Sequence, residues 1–167
     1  AGKVLPALRQ AHRAPRDPLT PTAGAAVTSA PMAVNTSYAG RVYPPGEVYR
    51  VSAEKIREFA EATASTHPAH TDVEAARALG YADVVAPPTF AVVIAQRAES
   101  VYVQDPEAGI DFSRVVHAEE RFTHHRPIVA GDVLTPTLHV DGVVERGSLA
   151  MVTTRVEIAD AEGAPVA

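Results

Sequence analysis

The chain has 167 residues, a formal net charge of −5 at pH 7 and no cysteine. That length supports one domain with a core of its own and is short for two. The lack of cysteine excludes disulfides, thiolate metal sites and a cysteine nucleophile. The acidic balance offers no basic surface for nucleic acid, and no apolar run approaches the ~20 residues of a membrane-spanning helix. We therefore expect a cytoplasmic protein that binds neither nucleic acid nor membrane.

The first 36 residues are rich in Ala, Pro and Thr and show no periodicity. Such a composition buries too little apolar surface to offset the entropy of ordering the chain. We predict that 1–36 lies outside the fold as a disordered or non-native extension, and that the domain occupies 37–167. Two interpretations stay open: a genuine tail, or translation that starts at Met32. No apolar stretch follows the early arginines, so we do not expect the segment to be a secretory signal.

Between residues 41 and 103 the pattern predicts an extended segment followed by three helices. The last of these helices is the most apolar, and its apolar residues lie all around it, so we expect it to be buried. The predicted elements are an extended segment over 41–51, a helix over 53–63 capped by Ser52, a short helix over 73–79 capped by Asp72 and ended by Gly80, and a helix over 89–103.

Three strands are predicted after this helix, over 114–125, 132–145 and 148–159. Glu145-Arg146-Gly147 is a typical hairpin turn between the last two. Helices followed by an antiparallel meander indicate an α+β fold, with one curled sheet wrapped around the helix over 89–103.

Three motifs occur in order along the chain. The first, 65–72, has the sequence Ser-Thr-His-Pro-Ala-His-Thr-Asp, and the second, 85–90, has Val-Ala-Pro-Pro-Thr-Phe. The third comprises 119–122 and 126–132, the latter with the sequence Arg-Pro-Ile-Val-Ala-Gly-Asp. Together they resemble the MaoC-like dehydratases, in particular the N-terminal-domain type found in actinobacterial (R)-3-hydroxyacyl-thioester dehydratase subunits. The resemblance covers about Ser37 to Gly163.

The resemblance implies a hot-dog fold, a hetero- or homodimer with a MaoC-like chain, and no cofactor. It also implies an acyl thioester of CoA or acyl carrier protein as ligand. The first motif matches the family pattern Gly-Asp-x-Asn-Pro-x-His/Tyr-x-Asp, with Ser65 in place of the catalytic Asp and Ala64 and His67 in place of Gly and Asn. Family members usually continue into a further strand after a turn such as 160–163, so we expect this sequence to lack its last strand.

The resemblance makes His70 and Ser65 the candidate catalytic residues. Dehydration of a 3-hydroxyacyl thioester needs a base, an acid and a donor to the enolate-like oxygen. Histidine suits proton transfer near neutral pH, whereas a serine hydroxyl needs an activating neighbour, for which His67 is the candidate. The alternative is that all three are loop residues that make local backbone bonds.

The start of the apolar helix is the candidate substrate-binding region, because the first N–H groups of a helix are free. Thr89 and Phe90 would donate to the thioester oxygen, and Phe90 and Ile94 would line an acyl tunnel. The alternatives are that Pro88 simply begins the helix and that Phe90 and Ile94 are ordinary core residues. The candidate substrate-binding residues are Pro88, Thr89, Phe90 and Ile94.

The seven histidines raise the question of a metal. Neither His67 with His70 nor His124 with His125 has the spacing of a zinc motif, so we expect no metal.

Three functional hypotheses follow. The first is the substrate-binding subunit of a heteromeric dehydratase in fatty-acyl metabolism. The others are an enoyl-CoA hydratase that acts alone through His70 and Ser65, and a non-enzymatic acyl-thioester-binding protein.

Overall fold

The computed structural model describes residues 33–167, so the predictions for residues 1–32 lie outside the described part of the chain. The described fold begins slightly before residue 37, because the Asn35 amide donates to the Ala108 carbonyl at 2.9 Å and Val34 packs on the core. The helices are α1 (Ala53–Ala62), α2 (Val73–Ala78) and α3 (Ala91–Val103), and the strands are β1 (Tyr49–Arg50), β2 (Val133–Arg146) and β3 (Leu149–Ala159).

Both predicted helix caps are present. The Ser52 hydroxyl accepts from the Lys55 amide at 3.1 Å, and the Asp72 carboxylate accepts from the Glu74 amide at 2.9 Å. Gly80 follows α2 with a φ of +90°, a conformation that glycine adopts without strain. The predicted helices over 53–63, 73–79 and 89–103 are therefore confirmed, apart from a single 3-10 turn, Pro88–Phe90, that precedes α3.

The three strands form an antiparallel sheet in the order β1-β2-β3. Leu134, Leu138 and Val140 of β2 are buried, at alternate positions. The register shifts between Val140 and Gly142, and from there the buried residue is Val143. This bulge reverses the alternation, so that β2 bends while it keeps its apolar side on the core. The α+β prediction is confirmed.

Helix α3 packs on the sheet through one face. Ala91, Ile94, Ala98 and Tyr102 are buried at helical spacing, whereas Val101 on the opposite face is 59% exposed. The expectation that α3 is buried on all sides is therefore wrong for the described residues, since the sheet covers only one side of it. The Thr154 hydroxyl of β3 donates to the Glu99 carboxylate at 2.6 Å and ties the flank of the helix to the sheet.

The apolar core divides into two clusters along α3. The first surrounds its N-terminal end, where Phe90 is completely buried and meets Phe59 edge-on with ring centroids 5.4 Å apart. The second surrounds its C-terminal end, where the Tyr38 and Tyr102 rings are 5.4 Å apart. The second cluster includes residues of β2 and β3. A third, smaller cluster of Ala69, Ala76 and Val85 contains a residue of the motif at 65–72.

The predicted strand over 114–125 is wrong. The chain makes a 3-10 turn at Phe112–Arg114, and every residue from 114 to 121 is exposed, with Val116 at 85%. Residues 116–124 make no backbone hydrogen bond with any other part of 33–167. A strand requires a hydrogen-bonded neighbour, and the described residues do not provide one here.

None of the described helices is both long and apolar enough to cross a membrane.

Replacement of Ile94 by Ala tests whether this side chain belongs to the core. Ile94 is 1% exposed, so we expect Ile94→Ala to lower the free energy of unfolding by about 2–5 kcal/mol, the usual cost of a buried Ile-to-Ala change. Val101→Ala on the same helix should change it by less than about 0.5 kcal/mol. Urea unfolding monitored by circular dichroism measures both. A loss below about 1 kcal/mol for Ile94→Ala would instead favour the tunnel-lining interpretation.

Candidate active site

The loop that carries the first motif begins at the C-terminal end of α1. The Ala64 amide donates to the Glu61 carbonyl at 3.1 Å, and the Ser65 amide donates to the Ala60 carbonyl at 2.8 Å. These two bonds form a Schellman motif, whose central residue adopts the left-handed conformation and is usually glycine. Here it is Ala64, with a φ of 51°, the single non-glycine residue with positive φ among residues 33–167. The helix end therefore directs Ser65 into the loop although an alanine occupies the glycine position.

Ser65 is half-buried, and its hydroxyl lies 2.9 Å from the Thr63 hydroxyl. Thr63 already donates its own proton to the Phe59 carbonyl at 2.8 Å. Ser65 is therefore the donor to Thr63, because a hydroxyl has only one proton to give. No hydrogen bond joins Ser65 to His67 or His70 in the described structure, so its proton is not shared with a base.

His67 caps the 3-10 turn Pro68–His70. Its Nδ1 accepts from the Ala69 amide at 3.2 Å. In the neutral ring this contact places the proton on Nε2, which leaves no free basic nitrogen. The hypothesis that His67 activates Ser65 therefore finds no support in the geometry. His67 instead supplies the cap that an asparagine commonly provides at the start of a turn.

His70 is half-buried and has one defined polar contact. Its Nδ1 lies 2.6 Å from the carbonyl oxygen of Val85. A carbonyl can only accept, so Nδ1 carries the proton and Nε2 of the neutral ring is a base. The ring also lies near that of His67, with centroids 5.7 Å apart. His70 is thus the one residue of the first motif whose tautomer suits proton abstraction.

The start of α3 offers fewer donors than the sequence predicts. The Phe90 amide donates to the Pro87 carbonyl at 2.9 Å, whereas the Thr89 amide makes no backbone hydrogen bond within the described chain. Pro88 and Thr89 are exposed, while Phe90 and Ile94 belong to the first core cluster. Of the predicted substrate-binding residues, only Pro88 and Thr89 are therefore at the surface of the described chain.

Two contacts around this loop could not be seen in the motifs. His124 Nε2 lies 2.7 Å from the Pro88 carbonyl oxygen, and the His124 ring stacks on Phe122 with centroids 6.1 Å apart. The partner of His70 is a main-chain atom of Val85, which no side-chain pattern specifies. The loop over 85–90 consequently has a histidine on its Val85 carbonyl and another on its Pro88 carbonyl.

A family model for the FAS1-like, dehydratase domain region matches residues 37–167. The chain belongs to this family. A relative of the dehydratase-region chain, a UPF0336 protein of Saccharopolyspora erythraea, is 51% identical over 135 residues, which are 81% of this chain and 86% of the relative. Another UPF0336 protein, from Clavibacter michiganensis, is 52% identical over 81% of this chain and 91% of its own length.

Solved structures confirm the hot-dog fold of the dehydratase-region domain. The HadBC (3R-hydroxyacyl-ACP dehydratase) complex of Mycobacterium tuberculosis matches with a TM-score of 0.69 and 31% identity, over 77% of this chain and 90% of that chain. A MaoC-like dehydratase matches with a TM-score of 0.70 and 32% identity, over 78% of this chain and 39% of that one. The resemblance that the motifs indicated is therefore confirmed: the chain is related to the MaoC-like hot-dog dehydratases.

Replacement of Ala64 by Gly tests the strained helix end. The left-handed conformation costs an L-residue about 1–2 kcal/mol of conformational free energy. This cost exceeds the extra conformational entropy, roughly 0.5–1 kcal/mol, that a glycine loses on folding. We therefore expect Ala64→Gly to raise the free energy of unfolding, by about 1 kcal/mol. Ala95→Gly, in the middle of α3, should lower it by about 1 kcal/mol. Thermal and urea unfolding measure both, and destabilisation by Ala64→Gly would contradict the positive φ.

Proposed function

We propose that this chain is the substrate-binding subunit of a heteromeric (R)-3-hydroxyacyl-thioester dehydratase of fatty-acyl metabolism. Its ligand would be an acyl thioester of CoA or of acyl carrier protein. The observation that carries the proposal is the state of Ser65. At the position of the family's catalytic carboxylate, a neutral hydroxyl donates its proton to Thr63 and contacts neither histidine of the motif.

The reaction sets what a complete site must contain. A base removes a proton from C2, the C3–O bond breaks, and the electrons of the C2–H bond form the C2=C3 double bond. The departing hydroxide takes a proton from an acid and leaves as water. Negative charge that develops on the thioester oxygen requires a hydrogen-bond donor.

This chain contributes some of these groups and lacks another. His70 Nε2 is the available base or, once protonated, the acid, and its orientation is held by the bond from Nδ1 to Val85. The Thr89 amide is the available donor for the thioester oxygen. The carboxylate that would orient the hydroxyl or water is absent at Ser65, and we infer that a partner chain supplies it.

The segment over 116–124 supports a partner chain. Its backbone donors and acceptors are unpaired within residues 33–167. The side chain of its first residue, Val116, is 85% exposed, and that of the preceding Val115 is 42% exposed. Unpaired backbone with exposed apolar side chains is suited to hydrogen bonding with a strand of another chain. The HadBC structure is a complex of (3R)-hydroxyacyl-ACP dehydratase subunits, and a comparable pairing with a second MaoC-like chain is our proposal here.

The second candidate is an enoyl-CoA hydratase that acts without a partner. The observation that favours it is the tautomer of His70, since Nε2 can take a proton from a positioned water as the water oxygen bonds to C3 and then deliver that proton to C2. The Thr89 amide would donate to the thioester oxygen. Ser65 would then orient that water. A third outcome, binding of the thioester without turnover in any assembly, would make the chain a non-enzymatic acyl-thioester-binding protein.

Hydration of crotonyl-CoA separates these possibilities. The purified chain is assayed alone, and again with a MaoC-like chain of the same organism that carries the catalytic Asp-His pair. Two results together support the proposal: hydration that requires both chains, and binding of the enoyl thioester that requires the chain described here. Turnover by the chain alone, abolished in His70→Ala, would replace it with the second candidate.

Restoration of the carboxylate is the direct test of Ser65. We expect Ser65→Asp to raise the hydratase activity of the chain, because the same loop already holds His70 in its Nδ1–H tautomer and a general acid–base group contributes roughly 10²–10⁴-fold. Ser65→Asn, of similar shape but uncharged, is the matched control and should stay inactive. His70→Ala should remove whatever activity Ser65→Asp gains. A folded but inactive Ser65→Asp protein would mean that the loss lies elsewhere, in the loop shape or the oxyanion donor.

Amide hydrogen exchange tests the partner surface. Residues 116–124 should exchange rapidly in the free chain, since their amides are unpaired, and slowly in the complex. Val116→Asp should weaken the complex by about tenfold or more, because a charge would be buried at an apolar contact. Leu79→Asp, at a side chain 57% exposed on another surface, is the control. Unchanged exchange at 116–124 in a formed complex would exclude this segment as the contact.

A further inference from the structure

The turn over 126–132 is held by one carboxylate. Asp132 Oδ2 accepts from the Arg126 guanidinium at 2.8 Å and from the Val129 amide at 2.9 Å. The Asp132 side chain is 19% exposed, and Arg126 also approaches Asp160, at 3.6 Å. Bonds from a carboxylate to a guanidinium and to a backbone N–H are stronger than bonds between neutral groups, more so where water has little access.

This turn pairs with the loop that precedes α3. The Ala86 amide donates to the Ile128 carbonyl at 2.8 Å, and the Ala130 amide donates to the Val84 carbonyl at 3.0 Å. Val85 and Val129 thereby face each other as an antiparallel bridge. Val129, whose amide donates to the Asp132 carboxylate, therefore lies directly opposite Val85.

Val85 in turn is bonded on both of its main-chain groups to the first motif. Its amide donates to the Ala69 carbonyl at 2.9 Å, and its carbonyl accepts from His70 Nδ1 at 2.6 Å. The Asp132 carboxylate is thus connected to the His70 ring through backbone atoms. Val129 and Val85 do not hydrogen bond to each other, and the two bonds made by their chain neighbours, at Ile128 and Ala86 and at Ala130 and Val84, hold the two segments together. The only side chains that donate or accept along this connection are those at its two ends.

We propose that Asp132 is the positioning residue of His70: by holding Val129, it fixes the Val85 carbonyl that keeps His70 in its Nδ1–H tautomer, with Nε2 free for proton transfer. The tautomer of a histidine is set by the bond that its other nitrogen makes, so displacement of the Val85 carbonyl leaves His70 free to populate the Nε2–H form. The catalytic consequence rests on the proposed function, whereas the effect on the His70 ring does not.

The test uses three variants of the full chain. Asp132→Ala removes the acceptor, while Asp132→Asn keeps an oxygen for Val129 and loses the charge. Asp160→Ala is the matched control, because Asp160 shares Arg126 but accepts its backbone hydrogen bonds from Glu162 and Ala164 and not from Val129. The measurement is the ring ¹⁵N spectrum of His70, assigned by its loss in His70→Gln, which distinguishes the two tautomers directly.

We expect the Nδ1–H pattern in the unmodified chain, in Asp132→Asn and in Asp160→Ala, and a mixed or Nε2–H pattern in Asp132→Ala. If Asp132→Ala does not fold, an ester in place of the Val129 amide deletes the same bond from the donor side and should give the same change. A folded Asp132→Ala protein, or ester, with the unmodified His70 pattern would overturn the proposal.

A kinetic measurement on the assembled dehydratase separates this inference from the proposed function. Asp132→Ala should lower kcat by about tenfold with little change in KM, less than the roughly 10²–10⁴-fold that loss of the acid–base group itself would cause, and Asp132→Asn should restore it. If His70→Ala leaves the activity of the complex unchanged while the ¹⁵N result holds, the positioning role stands and the catalytic role of His70 fails. If the ¹⁵N pattern does not change in Asp132→Ala, the positioning role fails whatever the activity.

Discussion

Contact between one face of α3 and the inner side of β2 and β3 determines the rest of the described domain. Ile94 and Tyr102 are almost completely buried along this contact, and the two core clusters form at the two ends of the helix. The bulge between Val140 and Gly142 lets β2 bend around the helix without turning its apolar residues outward. Because α3 is anchored in this way, the loop in front of it has a fixed base, and so do the carbonyls of Val85 and Pro88 that bind the two histidines.

The first motif forms a capped turn from residues that differ from the family pattern. Ala64 takes the left-handed position at the end of α1, and His67 caps the turn that an asparagine would cap. Ala64 adopts its left-handed conformation at a cost in conformational strain. By the resemblance to the family pattern, Ser65 stands where a carboxylate is expected. The proposed substrate-binding subunit would take that carboxylate from a partner chain.

Local features were predictable from the sequence, and features that depend on distant backbone were not. Ser52 and Asp72 cap helices because their oxygens reach backbone amides two or three residues away, and the hairpin around Gly147 depends on adjacent residues only. The strand predicted over 114–125 failed because alternation of side chains does not supply a neighbouring strand. Phe90 was expected to offer a free amide, but a single 3-10 turn before α3 binds it to Pro87.

The candidate site residues could be chosen from the sequence, but their contacts could not. His70 could be chosen from its motif, yet its tautomer depends on a main-chain oxygen 15 residues along the chain. The third motif gives no sign of a role for Asp132 toward His70, because the link between them passes only through backbone atoms. The side-chain pattern of a sequence does not reveal a connection through backbone atoms. The connection exists only once the fold brings the turn over 126–132 next to the loop over 85–90.

The length of β2 separates the turn over 126–132 from the hairpin at Gly147, so the hairpin can be labelled without changing the turn. This strand has 14 residues, and at roughly 3.3 Å per residue it extends for about 45 Å along its path. Its first residues adjoin the turn over 126–132, while its last reach the hairpin at Gly147, where the neighbouring side chain of Leu149 is 74% exposed. A fluorophore or a surface tether attached at the hairpin would lie far along the strand from His70. Such a label leaves the loop that carries His70 unaltered, and assembly with a partner chain can be followed by energy transfer.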